Sequence, residues 1–136
     1  MGFFFLYIYK VNKKFPKSEK LKSFKTIETL FLEGKTISKY PIKVFFLPRS
    51  QFKSEEQIRQ NLAAFAVPKR KFKLAVDRNR IKRQLRECYR LHKHVLEDNP
   101  DEKFVMLFLF LGKTKPPYAE LENAMIALLN KLPLQT

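Results

Sequence analysis

Residues 75–96 read AVDRNRIKRQLRECYRLHKHVL, and this stretch organises the rest of the chain. It reads as one long helix from about Leu74 to Leu96, closed by Asn99 and Pro100. Stepping about 100° per residue places Arg78, Lys82, Lys93, Arg86, Asn79, Arg90 and Arg83 in angular order over roughly 140°. Ile81, Leu85, Cys88, Tyr89, His92, Val95 and Leu96 are assigned to the other side, with Arg80 between, within reach of the preceding loop. One face is expected to pack on a sheet and the other to form a wall of cations. Arg78–Lys82, Lys82–Arg86 and Arg86–Arg90 are like charges four residues apart, each pair costing some tenths of a kcal/mol. A merely solvated face would interleave Glu at such positions. Arg presents a planar fork that grips phosphate through two hydrogen bonds, and Asn79 can both donate and accept toward a 2′-hydroxyl or a base edge.

Just ahead of this helix runs Pro68-Lys69-Arg70-Lys71-Phe72-Lys73. Cations at a helix N-terminus suit phosphate, because free backbone N–H groups point there too. The window 69–93 holds 11 Lys/Arg against 2 Asp/Glu, so it carries more than half of the formal net charge of +15. An excess of that size repels itself in a compact chain and points to a polyanionic partner. Cys88 is the single cysteine, so no internal disulfide is possible and nothing favours an oxidising compartment. A cytoplasmic location is expected.

The flanking segments supply one domain of ordinary size and composition, 136 residues and 45% apolar. Leu21, Phe24, Ile27, Leu30 and Phe31 recur at helical spacing and predict a first helix over Lys20–Leu32, with Ser18 near its start and Gly34 at its stop. Thr36–Ser38 reads as a short strand, Ile42–Leu47 as a second strand ended by Pro48, and Ile58–Val67 as a third running into Pro68. Ser50–Gln57 is a polar loop. Phe104–Leu111 is a continuous apolar run too short to span a bilayer, and reads as a buried strand. Pro116 and Pro117 open a final helix, Tyr118–Leu132, with Leu121, Ala124, Met125, Leu128 and Leu129 on one face. Phe3–Tyr9 is apolar but its cations follow it, with no small-residue cleavage site. Residues 1–14 are therefore expected to be an extension outside the domain, and 15–136 a single RNA-binding domain. The fold class is α+β: an α-β sandwich with a mixed sheet of about four strands and three helices.

The nonamer Ala75-Val76-Asp77-Arg78-Asn79-Arg80-Ile81-Lys82-Arg83 resembles the Arg-Asn-Arg helix of the protein subunit of bacterial ribonuclease P. The likeness extends to Arg86, to Ala66-Val67-Pro68-Lys69-Arg70 and to the Leu30-Phe31-x-x-Gly34 ending of the first helix, and covers about residues 15–132. It implies a left-handed crossover through the basic helix. It also implies a non-catalytic protein partner of a catalytic RNA that matures the 5′ ends of precursor tRNA with magnesium ions. By the same resemblance the basic helix grips that RNA, and a cleft between the first helix and the sheet holds the substrate's 5′ leader. By position Ile27, Phe31 and Phe45 line that cleft; simple core packing of the three is the equal alternative. Members more often carry an aromatic residue where Ile27 stands, and many carry Gly-Asn where this chain has Phe72, Lys73 and Leu74.

The expected RNA-binding set is Lys69, Arg70, Lys71, Lys73, Arg78, Asn79, Arg80, Lys82, Arg83, Arg86 and Arg90. The expected partners are the catalytic RNA and precursor tRNA, with no membrane and no obligate protein partner. A protein nuclease would need clustered carboxylates or His, and Asp77 and Glu87 are the acids of the basic window, read as pointing away from the wall. Cys88 and His92 share metal-ligand spacing but sit on the apolar face, so no metal or protein-bound cofactor is expected. A ribosomal or other structural RNA-binding protein remains the alternative.

Overall fold

The computed structural model describes residues 15–51, 60–97 and 103–135. Strands β1 (Lys35–Lys39), β2 (Ile42–Pro48), β3 (Leu62–Ala66) and β4 (Phe104–Phe110) form one sheet in the order β1-β2-β4-β3. β1 pairs antiparallel with β2 and β2 with β4, whereas β3 pairs parallel with β4. A parallel pair cannot be joined by a hairpin. The link between β3 and β4 is the basic helix α2 (Ala75–His92), followed by a short α3 (His94–Glu97). Helix α1 (Phe24–Glu33) precedes the sheet and α4 (Tyr118–Lys131) follows it.

Strand alternation divides the core between the two faces of the sheet. Ile42, Val44 and Phe46 of β2 and Phe104, Met106, Phe108 and Phe110 of β4 pack with Ile81, Leu85, Cys88 and Tyr89 of α2 and the inward face of α4. Leu47, Val105 and Leu107 face the other way, in a cluster with Leu21 ahead of α1 and Leu30 within it. β4 is covered on both faces, which is why its sequence is apolar at every position instead of alternating.

Several boundaries differ from the sequence expectation, each for a physical reason. The first helix begins at Phe24 because Leu21 donates its backbone N–H to Ala63 O at 2.9 Å, tying residues 20–21 to the sheet edge. Ser23 then caps the helix, its hydroxyl accepting from Thr26 N at 3.4 Å. Gly34 ends it as expected, its N–H bonded to Leu30 O at 2.9 Å, and a Cβ at that position would collide with the same carbonyl. The third strand starts at Leu62, since Asn61 is buried and uses its side-chain oxygen to accept from Phe104 N at 2.7 Å. Ile58 of the expected strand, and most of the loop before it, lie outside the described residues, as does the extension 1–14.

The long helix does not run unbroken to Leu96, so the described residues hold four helices where three were expected. It ends at His92, followed by Lys93, whose backbone stays helical with its N–H bonded to Tyr89 O at 2.8 Å. Lys93, assigned from helical spacing to the cationic wall, is 1% exposed, and its Nζ reaches the two carboxylate oxygens of Glu19 at 2.8 and 3.0 Å. Glu97 stands 3.5 Å from the same ammonium. Glu19 lies in a 3-10 turn (Lys17–Glu19) held to β3, while Phe15 makes edge-to-face contacts with Phe65 and Tyr89. The segment ahead of α1 is thus fastened to the far end of the basic helix. Removing one partner of a buried ion pair leaves an uncompensated charge, typically a loss of about 3–5 kcal/mol. Lys93→Ala is expected to lower unfolding stability on that scale, whereas the joint Glu19→Leu, Lys93→Met change should lose far less; urea denaturation of both variants checks this.

Candidate nucleic-acid interface

Helix α2 buries Ile81, Leu85, Cys88 and Tyr89. Tyr89 projects only about 20° from Arg78 around a regular helix, so the buried arc takes in the direction assigned to the start of the cationic wall. Arg78 is accordingly half-buried, not outward-facing. Its guanidinium folds back to donate to the backbone oxygens of Phe72 at 2.7 Å and Lys73 at 2.9 Å. It clamps the loop before the helix, the role that spacing suggested for Arg80. Arg80 is instead exposed, as are Asn79, Arg83 and Arg86, while Lys82 is half-buried. Among the described residues no carboxylate pairs with Arg80, Lys82, Arg83 or Arg86.

The two acids of this window are engaged. Glu87 accepts from Arg90 Nε at 3.1 Å, so it lies at the rim of the cationic face and not away from it. That hydrogen bond and the adjacent charge hold the Glu87 carboxyl below the usual carboxylate range. Arg90 therefore brings less free charge to the surface than its neighbours. Asp77 binds Lys115 Nζ at 2.9 Å, bringing the β4–α4 loop against the first turn of the basic helix. Lys69, Arg70, Lys71 and Lys73 are exposed in the loop ahead of it. Lys71 Nζ donates to Leu111 O at 2.9 Å, and Phe72 turns into the core against Phe110, with ring centres 5.8 Å apart. A buried Phe72 anchors this loop.

On the opposite face of the sheet α1 covers the surface only in part. Phe31, 51% exposed, meets Phe45 edge to face with ring centres 4.9 Å apart, so aromatic side chains from two elements stand together there. Ile27 and Phe45 are half-buried against the small cluster under α1. Phe31 is thus not a core residue, whereas Ile27 and Phe45 pack in part. Lys43, two residues before Phe45 and so on the same side of β2, sets its ammonium 5.2 Å from the Phe45 ring centre. Sequence reading did not single out Lys43, although two-residue strand alternation carries that signal. Ala64 and Ala66 of β3 also face this side and bring little bulk to it.

A family model described as Ribonuclease P matches residues 15–133. The chain belongs to the ribonuclease P protein family. It is 36% identical over 112 residues to the ribonuclease P protein component of Porphyromonas gingivalis (strain W83), covering 80% of this chain and 79% of that one. It is 29% identical over 119 residues to the component from Caldanaerobacter subterraneus subsp. tengcongensis, covering 87% and 92%. The RNase P protein from Thermotoga maritima superposes with a TM-score of 0.66 at 19% identity, over 83% of this chain and 96% of that one. The Staphylococcus aureus RNase P protein gives 0.64 at 17% identity, over 85% and 96%. These structural likenesses bear on the fold, an α+β sandwich about a four-stranded mixed sheet.

Neither surface offers a magnesium ion a carboxylate cluster. Among the described residues no group of three His, Cys, Asp or Glu is placed to hold a metal, and the acids of α2 are already bound to Arg90 and Lys115. No described helix is long and apolar enough to cross a membrane. Cys88 lies in the core, with His92 beside Glu122 at 3.3 Å.

The two arginines differ in what they hold, and their removal should differ accordingly. Arg78→Ala should cost about 1.5–3 kcal/mol, the range for hydrogen bonds to a charged group, while Arg86→Ala stays within about 0.5 kcal/mol as an exposed substitution; matched urea melts test the pair. Burial pushes the Cys88 thiol up to about 11, opposed by a hydrogen bond with Tyr118. The unfolded thiol ionises near pH ~8.5, so the contribution of this group is full below that value and is lost as pH rises toward about 11. Cys88→Ala should therefore flatten the alkaline fall in stability, measured by denaturation between those pH values.

Proposed function

We propose that this chain binds the catalytic RNA subunit of ribonuclease P through the exposed side of α2 and holds the 5′ leader of precursor tRNA on the partly covered face of the sheet beside α1. Membership of the family supports the ribonucleoprotein assignment. The observation that carries the RNA surface is the exposed row Asn79, Arg80, Arg83 and Arg86, opposite a helix face fully spent on the core. Guanidinium groups there meet a phosphate backbone at the spacing of helical turns. Lys69, Arg70, Lys71, Lys73 and Lys82 add charge around them, Arg90 contributes from the rim, and Arg78 acts by holding the loop.

That face suits an unpaired strand. Phe31 and Phe45 expose aromatic surface from two directions, and bases stack on such faces at about 1–3 kcal/mol each. Lys43 lies over one of those rings, where it can meet a phosphate. In this reading the RNA cuts the precursor with magnesium, the protein supplies binding and orientation, and the complex works in the cytoplasm without an obligate protein partner.

RNA recovered with the purified protein, when sequenced, tests the assignment: a catalytic RNA of this class is expected, and ribosomal RNA alone would overturn it. The Arg83→Ala, Arg86→Ala double variant should bind that RNA more weakly, with a shallower dependence on salt, by about 0.9 in log–log slope for each duplex phosphate that is no longer neutralised. Phe31→Ala should weaken precursor tRNA about fivefold or more, leaving mature tRNA and melting temperature unchanged. Equal losses for both tRNAs would remove this face from the leader site. RNA-free protein is expected not to cleave precursor tRNA in magnesium; specific cleavage would show that the chain is itself catalytic.

A further inference from the structure

Three loops meet at the end of the sheet beside the N-terminus of α2: the β1–β2 turn, the β3–α2 loop and the β4–α4 loop. They are tied together by named bonds. Leu111 N donates to Pro41 O at 2.7 Å, Lys71 Nζ donates to Leu111 O at 2.9 Å, Lys115 Nζ binds Asp77 at 2.9 Å, and Arg78 holds Phe72 O and Lys73 O. Residues 39–43, 69–73 and 111–117 together contain eight lysines and arginines and no Asp or Glu. The stretch from 94 to the C-terminus is net acidic, yet two of its four lysines, Lys113 and Lys115, fall in this one short loop. Both are exposed. Tyr40, at the tip of the β1–β2 turn, is 65% exposed and directly precedes Pro41, whose carbonyl accepts from Leu111 N in the β4–α4 loop.

Gathering eight like charges with Asp77 bonded among them raises the energy of the free protein, and a solvated surface normally mixes in more acid. Here hydrogen bonds from Lys71 and Arg78 hold the loops in that arrangement. A polyanion running off the basic helix would meet Lys113 and Lys115 next, and then an exposed phenol ring able to stack on an unpaired base.

We propose that the RNA-binding surface continues past α2 over the end of the sheet, where Lys113 and Lys115 bind RNA phosphates and Tyr40 stacks on an unpaired base. The inference rests on the reading of α2 given above, and it assigns contacts to two loops that this reading leaves unused. Lys115 exchanges its bond with Asp77 for a phosphate, and Asp77 stays solvated at the helix N-terminus, where a negative charge is favourable.

The test uses the full chain and two probes, a fluorescein-labelled oligouridylate of about 20 nucleotides, longer than the ~4–16 nucleotides a single-strand groove covers, and an RNA duplex of equal length. Lys113→Ala with Lys115→Ala should lower the log–log salt slope on the single strand by about 1.4, two contacts at ~0.7 each. Arginine at both positions should restore it. Tyr40→Ala should weaken the single strand about fivefold or more and leave the duplex unchanged, and Tyr40→Phe should behave as the parent. Lys113→Gln alone should lower the slope by about 0.7, and serves if the double variant does not fold. An unchanged slope in the lysine variants while Arg83→Ala, Arg86→Ala loses affinity overturns the sheet-end surface and leaves the α2 reading standing. No loss in any variant, the α2 pair included, overturns both. Equal weakening of single strand and duplex by Tyr40→Ala overturns the stacking role.

Discussion

β4 hydrogen-bonds to a strand on each edge and is buried on both faces, and the other elements are arranged by that double demand. Its antiparallel partner β2 needs helices on both sides of the sheet to cover the same residues' neighbours. Its parallel partner β3 demands a crossover, because parallel strands cannot be closed by a turn. The crossover is the basic helix. It lays one face on Phe65, Phe108 and helix α4, so what remains of its circumference is turned to solvent. The cationic surface is therefore held by the core, not by the loops beside it.

That packing also decides which cations are free. The buried arc of α2 extends to Tyr89, and Arg78, about three turns toward the N-terminus on the same side, is half-buried in turn. Arg78 resolves the conflict by bonding to backbone oxygens. Lys93 resolves it at the other end by meeting Glu19 in the interior. Two residues that look alike in charge thus become a loop clamp and a core ion pair, and the exposed row narrows to Asn79, Arg80, Arg83 and Arg86, with Lys82 and Arg90 at its margins. The repulsion within a chain of net charge +15 is relieved in the same way, by placing one acid at Arg90, one at Lys115 and two at Lys93 while leaving the outward row unneutralised.

The partly covered face on the far side of the sheet follows from relative size. α1 is ten residues long and covers the Leu47, Val105 and Leu107 end of the sheet, leaving Leu109 and Ala66 half-covered. Phe31 overhangs this edge from α1, and Phe45 rises from the strand to meet it. An aromatic pair in that position is neither core nor free surface, which is why helical and strand periodicity alone left its role divided.

Local pattern by itself determined the class of the fold, the approximate place of the four strands and of the three long helices among the described residues, the buried character of β4, the stop at Gly34 and the sign and place of the charge. Each of these is a short-range property: periodicity, turn residues and composition act within a few positions of the chain. Tertiary structure alone decided the burial of Lys93, the inward turn of Arg78, the outward turn of Arg80, the engagement of Asp77 by Lys115 and the meeting of Phe31 with Phe45. These depend on partners 5 to 74 positions away, as in the Arg78–Lys73 and Lys93–Glu19 bonds. A helical wheel orders side chains around an axis but does not set the angle at which the sheet meets it, and that angle separates the cations that face solvent from those the core keeps.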